Sequence, residues 1–318
     1  MLPENLTTKA KDILGCSVKD KTGLNDFQKL PAKNAVKIPY VGIERYRLPI
    51  QFLSENGPVG HDSTASMFVE LASGKTGVNM SRFCAILQEE AAKGPLDKAF
   101  FKTTLSRFRK DLRDDSSEDL IDKATLEISF DFPMKQKSLK SNLWGWQYYP
   151  VTIKAEENSL GQISMILKVN YEYSSTCPCS LSMAKQYEED YRLGRTQEGN
   201  GIATAHSQRS RATVLIHHSY ESDLNLEKVI DLLRLALPTE TQSMVKRLDE
   251  QAFAILNGEN PMFVEHASRR LAAVLDRVDD ISYWEAKVEH FESLHSHNAV
   301  AMISKELNPE SLRGNLIH

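Results

Sequence analysis

Residues Met80 to Leu112 read MSRFCAILQEEAAKGPLDKAFFKTTLSRFRKDL, and this stretch decides the fold. Met80–Ala92 spaces its apolar residues as a helix does, with Asn79 or Ser81 as the candidate N-cap. Leu96–Leu112 is a second amphipathic helix. Its stripe of Phe100, Phe101, Leu105 and Phe108 reads as core. Outward from this pair lie strands. Pro39–Leu53 (PYVGIERYRLPIQFL) and Ser63–Ala72 (STASMFVELA) precede the helices. Ala124–Pro133 (ATLEISFDFP) and Tyr148–Lys154 (YYPVTIK) alternate as strands after them.

The second half repeats the order. Ile163–Tyr173 and Arg211–His218 are rich in β-branched and aromatic residues and read as strands. Leu226–Leu237, Thr239–Leu256 and Met262–Val278 read as helices, and Ile281–Phe291 and Ala299–Ile303 as closing strands. The pattern predicts an α+β chain of two tandem ββααββ modules, antiparallel sheet with helices on one face. An arm over residues 1–38 precedes modules at 39–158 and 159–318.

Composition narrows the function. The chain has 318 residues and a formal charge of −4, against the basic balance of a general nucleic-acid binder. The N-terminus lacks the apolar run of a signal peptide, and no run of 18 apolar residues occurs, so a cytoplasmic protein without a membrane span is expected. Four cysteines in a chain this long exclude a disulfide scaffold. Cys16 and Cys84 read as small buried apolar residues. His217 and His218 read as strand-end residues, and His266 and His318 are given no role.

The chemistry concentrates between Ser175 and Ser210, SSTCPCSLSMAKQYEEDYRLGRTQEGNGIATAHSQRS. Cys177 and Cys179 flank Pro178 and would face the same way on an extended chain at a strand end. With no second cysteine pair, a closed four-cysteine site is excluded. An open catalytic metal site needs fewer thiols. Further donors stand in VEHFESLHSHNAV: His290, Glu292, His295 and His297. Among Lys185, Arg192, Arg195, Arg209, Arg211, Lys246 and Arg247, Arg209 is the favoured phosphate contact, because the motif around it is dense.

Taken together, TCPCS, AHSQRS, KRLDE, NPMFVE and HFESLHSHNA resemble the type IB GTP cyclohydrolase I family, in that order, from about Val41 to Ala301. The resemblance implies the tunnelling fold, two modules per chain, and homotetramers with sites at interfaces. It implies GTP as substrate, with 7,8-dihydroneopterin triphosphate and formate as products, a step toward folate. It implies catalytic roles for Cys177, Cys179 and His206, and a divalent ion (Zn, Mn or Fe) held by Cys177, Glu240, Glu292 and His295. Gln208, Arg209, Ser210, His297 and Glu250 are the implied substrate contacts.

Two departures stand out. The segment before His206 carries an insert, YEEDYRLGRTQEGNG, whose charges and glycines read as a surface loop or lid. A glutamate expected after KRLDE to anchor the guanine edge is replaced by Ile255, leaving Glu250 or Glu259 as alternatives. Other readings remain: a deazaguanine nitrile reductase on the same fold, a purine-nucleotide binder without turnover, and a purely structural metal site.

Overall fold

In the computed structural model, residues 10–20, 22–33, 36–54, 57–113 and 121–305 are described. His318 lies outside them. Eight strands form one sheet whose hydrogen-bonded order follows the chain, β1 to β8. They are β1 (Ile38–Ser54), β2 (Gly57–Leu71), β3 (Ala124–Lys137), β4 (Trp144–Glu157), β5 (Ile163–Thr176), β6 (Ser207–Ser219), β7 (Ile281–His290) and β8 (Ala299–Ser304). The pairs β1/β2, β2/β3, β6/β7 and β7/β8 are antiparallel. The helices are α1 (Ala10–Leu14), α2 (Met80–Ala91), α3 (Lys98–Asp111), α4 (Pro178–Arg192), α5 (Leu226–Ala236), α6 (Arg247–Glu259) and α7 (Val264–Leu275). The first half runs two strands, two helices and two strands, as expected; the second keeps its four strands but carries α4 between β5 and β6 and three helices, α5 to α7, before β7 and β8.

The chain gathers into two compact units. One comprises the described residues up to Phe130 together with Ile153–Met165; the other comprises Asp131–Thr152 and the described residues from Ile166 onward. The expected boundary at 158/159 falls in the turn between β4 and β5, while the units divide those strands along their length.

In the first unit Phe83, Phe100, Phe101, Leu105 and Phe108 are buried, as the stripe predicted. Asp97 caps α3 by accepting the Phe100 N–H at 2.7 Å. Arg109 and Glu157 form a buried ion pair at 2.6 Å. The guanidinium also donates to the carbonyls of Ile121 and Ser159, so each of its three nitrogens is engaged inside the fold.

The second unit departs from expectation in two places. Thr239–Lys246 is not helical. Ser174 N–H donates to Thr239 O at 2.8 Å and Thr241 N–H to Glu172 O at 3.2 Å, so this segment pairs with β5. The helix starts only at Arg247, where the buried Asp249 accepts the Lys246 N–H at 2.8 Å. Asp249 also accepts the N–H groups of Lys140 and Ser141 and the Ser141 hydroxyl. One carboxylate thereby fixes the β3–β4 turn to the start of α6.

The second departure is α4. Cys177-Pro178-Cys179 does not run on as a strand end: Cys177 is the N-cap and Pro178 stands in the first turn. Proline suits that position because its fixed φ is helical and its missing N–H has no partner to lose. The helix absorbs residues up to Arg192, nearly half of the expected surface loop. The remainder is strapped back onto the helix. Tyr187 donates its hydroxyl to Glu198 O at 2.6 Å and accepts the Gly201 N–H at 3.1 Å. Gly199 and Gly201 both have positive φ, and a Cβ would collide with the Tyr187 hydroxyl at Gly199 and meet the Tyr191 ring at 2.5 Å at Gly201.

Candidate active site

The end of β5, the start of β6 and the end of β7 converge. Cys177 N–H donates to His206 O at 3.2 Å, and His206 N–H to Ser180 Oγ at 3.2 Å. Ser210 stands opposite His290 in the β6/β7 register. Met262 N–H donates to Thr176 O at 3.0 Å, drawing the segment before α7 to the same place. These contacts bring residues 85 and more positions apart around one pocket of about 420 Å³. Its wall includes Cys177, Cys179, His206, Gln208, Glu292 and His295.

Strand alternation sorts the AHSQRS motif. Gln208 and Ser210 are buried, and Arg209 between them is exposed. Gln208 Nε2–H donates to Ser175 Oγ at 2.7 Å, and Ser175 Oγ lies 2.8 Å from Ser210 Oγ. The Gln208 carbonyl oxygen is left to face His206 Nδ1 at 3.1 Å. An amide oxygen only accepts, so His206 carries its proton on Nδ1 and presents Nε2 as an acceptor. Glu292 Oε2 lies 3.9 Å from the same Nδ1, is buried, and has no hydrogen-bond partner among the described residues.

His290 also lines this pocket, at 2% exposure. Its Nε2 lies 2.9 Å from the Tyr173 hydroxyl. Burial pushes its pKa down to about 4, with Glu265 pulling the other way. The same burial raises the Tyr173 phenol well above its ordinary range. Motif reading had noted His290 without placing it in the site. Met183, Met262, Phe263 and Leu294 supply an apolar share of the wall that motif reading missed.

Several expected residues lie elsewhere. Glu240 does not line the pocket: its carboxylate takes the Tyr149 hydroxyl and the Arg234 guanidinium (3.0 Å), which occupies both oxygens. Arg209 faces Glu172 at 3.7 Å, and Ser210 is held by Ser175. Glu250, Ile255 and Glu259 are exposed on α6. His297 stacks on His295 with ring centroids 4.8 Å apart. His266, given no role, accepts the Phe263 N–H at the start of α7. Among the described residues, no three His, Cys, Asp or Glu side chains stand close enough together to close on one ion.

The family model described as "Type I GTP cyclohydrolase folE2" matches residues 24–301. The chain belongs to that family. The protein named GTP cyclohydrolase FolE2 from Dinoroseobacter shibae is 39% identical over 296 residues, covering 90% of this chain and 75% of that one. Its namesake from Hydrogenovibrio crunogenus is 35% identical over 288 residues, covering 85% and 90%. Among solved structures, uricase from Arthrobacter globiformis aligns with a TM-score of 0.48 at 9% identity, over 86% of this chain and 96% of that one. Of the residues that carry the motif resemblance to the type I GTP cyclohydrolase family, Cys177, Cys179, His206, Gln208, Glu292 and His295 are gathered at the pocket.

Proposed function

We propose that this chain is a GTP cyclohydrolase, opening the imidazole ring of GTP to give 7,8-dihydroneopterin triphosphate and formate for folate synthesis. The observation that carries the reading is the convergence of two thiols, an imidazole of fixed tautomer and an unpaired carboxylate oxygen on one pocket, in a member of that family.

Cys177, Glu292 and His295 would hold a divalent ion (zinc, manganese or iron). Their donor types suit such an ion, a thiol, a buried carboxylate oxygen lacking a partner and an imidazole on the wall of one pocket, but as they stand they are too far apart to close on it and would have to draw together. Bound there, such an ion supplies Lewis-acid activation of the water that adds to C8.

The remaining work belongs to the chain. His206 takes a proton on Nε2, while Gln208 keeps Nδ1–H engaged so that the ring neither turns nor changes tautomer. Glu292 beside it stabilises the imidazolium that results. Cys179, exposed in the first turn of α4, offers its thiol to the mouth of the pocket as hydrogen-bond donor or nucleophile. Met262, Phe263 and Leu294 give the base an apolar seat.

The family resemblance extends the proposal to a cytoplasmic homotetramer with shared sites. Trp144, Trp146 and Tyr148 support self-association, for they alternate along β4 and all three are exposed. The deciding assay is formate and fluorescent pterin release from GTP by metal-stripped protein, then with zinc, manganese or iron restored. Metal-dependent product is expected. GTP bound without product under every metal would replace the enzyme with a nucleotide-binding module.

A further inference from the structure

We infer that Tyr173 and His290 form a hydrogen-bonding subsite that presents His290 Nδ1–H, as a neutral donor, to an acceptor atom of the bound purine base. The inference rests on the nucleotide reading of the pocket and adds to it a recognition group.

The argument begins with the phenol. Tyr173 is fully buried, and among the described residues the one hydrogen-bond partner of its hydroxyl is His290 Nε2 at 2.9 Å. A buried O–H that fails to donate is costly, so the proton goes to Nε2. Nε2 then accepts, and a neutral imidazole must carry its own proton on Nδ1. The ring stands nearly perpendicular to Tyr173 (75°), a packed edge contact that limits its rotation.

The other nitrogen opens on the pocket. His290 lines the wall, and its Nδ1 has no hydrogen-bond partner among the described residues. With Nε2 turned to Tyr173, Nδ1 is the ring nitrogen left to meet a ligand in the pocket that His290 lines. Gln208, the other buried polar side chain of the wall, already turns its amide nitrogen to Ser175 and its carbonyl oxygen to His206. Of the two buried polar side chains of the wall, His290 is thus the one with a ring N–H left for a ligand. A neutral N–H matches a ring nitrogen or carbonyl oxygen, whereas a phosphate would call for a cation. Tyr173 is a positioning residue: it reaches the ligand only through His290.

The test measures GTP affinity and steady-state kinetics for wild type, His290→Phe, His290→Leu, His290→Asn and Tyr173→Phe, each with its melting temperature and metal content. The two apolar replacements guard against one of them failing to fold. The folded apolar variant should weaken GTP binding and raise KM roughly ten-fold, the loss of one hydrogen bond into a buried site, with metal content unchanged. His290→Asn, which keeps a neutral N–H donor, should recover most of that loss. Tyr173→Phe should fall between, because Nδ1 and Nε2 then share the proton.

A folded apolar variant with wild-type affinity and KM would overturn the inference and leave Tyr173–His290 as core packing. So would equal losses in His290→Asn and the apolar variants. A wild-type protein that neither binds nor converts GTP would remove the nucleotide reading itself, and this subsite with it.

Discussion

The Gln208 carbonyl oxygen lies 3.1 Å from His206 Nδ1, and the other end of that amide is fixed by Ser175. The imidazole therefore inherits its tautomer from a chain of hydrogen bonds that ends on the Ser210 hydroxyl. Replacing Gln208 by Leu removes the acceptor without adding charge. Turnover should fall roughly 10- to 100-fold, the scale of misdirected general acid–base catalysis, with a smaller change in KM. Equal kcat in the variant and wild type would show that His206 does not depend on this chain.

Cys179 is exposed, whereas Cys177 is half-buried at the N-cap of α4. The two thiols should separate experimentally. Cys179→Ala should keep its melting temperature and metal content and lose at least about 100-fold in turnover. Near wild-type activity would strike Cys179 from the mechanism. His295→Ala should lower the bound metal per chain, read by elemental analysis after dialysis. Unchanged stoichiometry would take it out of the ligand set.

Chelation distinguishes a catalytic ion from a structural one. The second unit buries Val214, Ile216, Leu233, Leu271 and Trp284, a core that requires no ion to close. Metal-stripped protein should thus keep its far-ultraviolet circular dichroism and its cooperative melt while losing product formation, and zinc, manganese or iron should restore it. Loss of the fold on chelation would mark a folding site instead.

In the first half, paired strands around paired helices were legible because each period is local: Phe100, Phe101, Leu105 and Phe108 repeat as a helix repeats, and all are buried. The pocket was half legible. Its motifs are dense enough to single out Cys177, Cys179, His206, Gln208, Glu292 and His295. What failed was context. Proline is as much at home in a helix's first turn as at a strand end, so Cys177-Pro178-Cys179 could not reveal α4. Glu240 was assigned by counting along the chain, but its carboxylate is claimed by Tyr149, 91 residues away. His290 needed a partner 117 residues distant before its role could be seen. Such pairings arise from tertiary structure, and no local pattern encodes them.

In the first unit, stability turns on the buried pair of Arg109 and Glu157. Arg109→Met fills similar space but strands a carboxylate at 5% exposure. The cost should be about 3–5 kcal/mol, the usual penalty for breaking a buried pair from one side. Denaturant unfolding measures it. The double replacement Arg109→Met with Glu157→Leu should recover much of the loss, because no uncompensated charge remains. A single variant as stable as wild type would mean that water reaches Glu157 freely.

Acid should loosen the second unit through Asp249. The Ser141 hydroxyl and the N–H groups of Lys246, Ser141 and Lys140 hold this carboxyl well below the ordinary aspartate range. A group whose folded pKa is depressed contributes stability above its unfolded pKa, about 3.9, and loses it as pH falls toward the folded value. Wild type should therefore keep this contribution at neutral pH and lose stability steeply below about pH 4. Asp249→Asn retains one acceptor oxygen but adds two donors where three N–H groups and a hydroxyl already point inward. It should be less stable than wild type at pH 7, and the gap should narrow on acidification as the wild-type carboxylate takes up its proton. Urea midpoints measured from pH 7 down to about pH 3 test both limbs. A gap that stays constant across that range would show that Asp249 acts through shape alone and that its charge contributes nothing to the anchoring of the β3–β4 turn on α6.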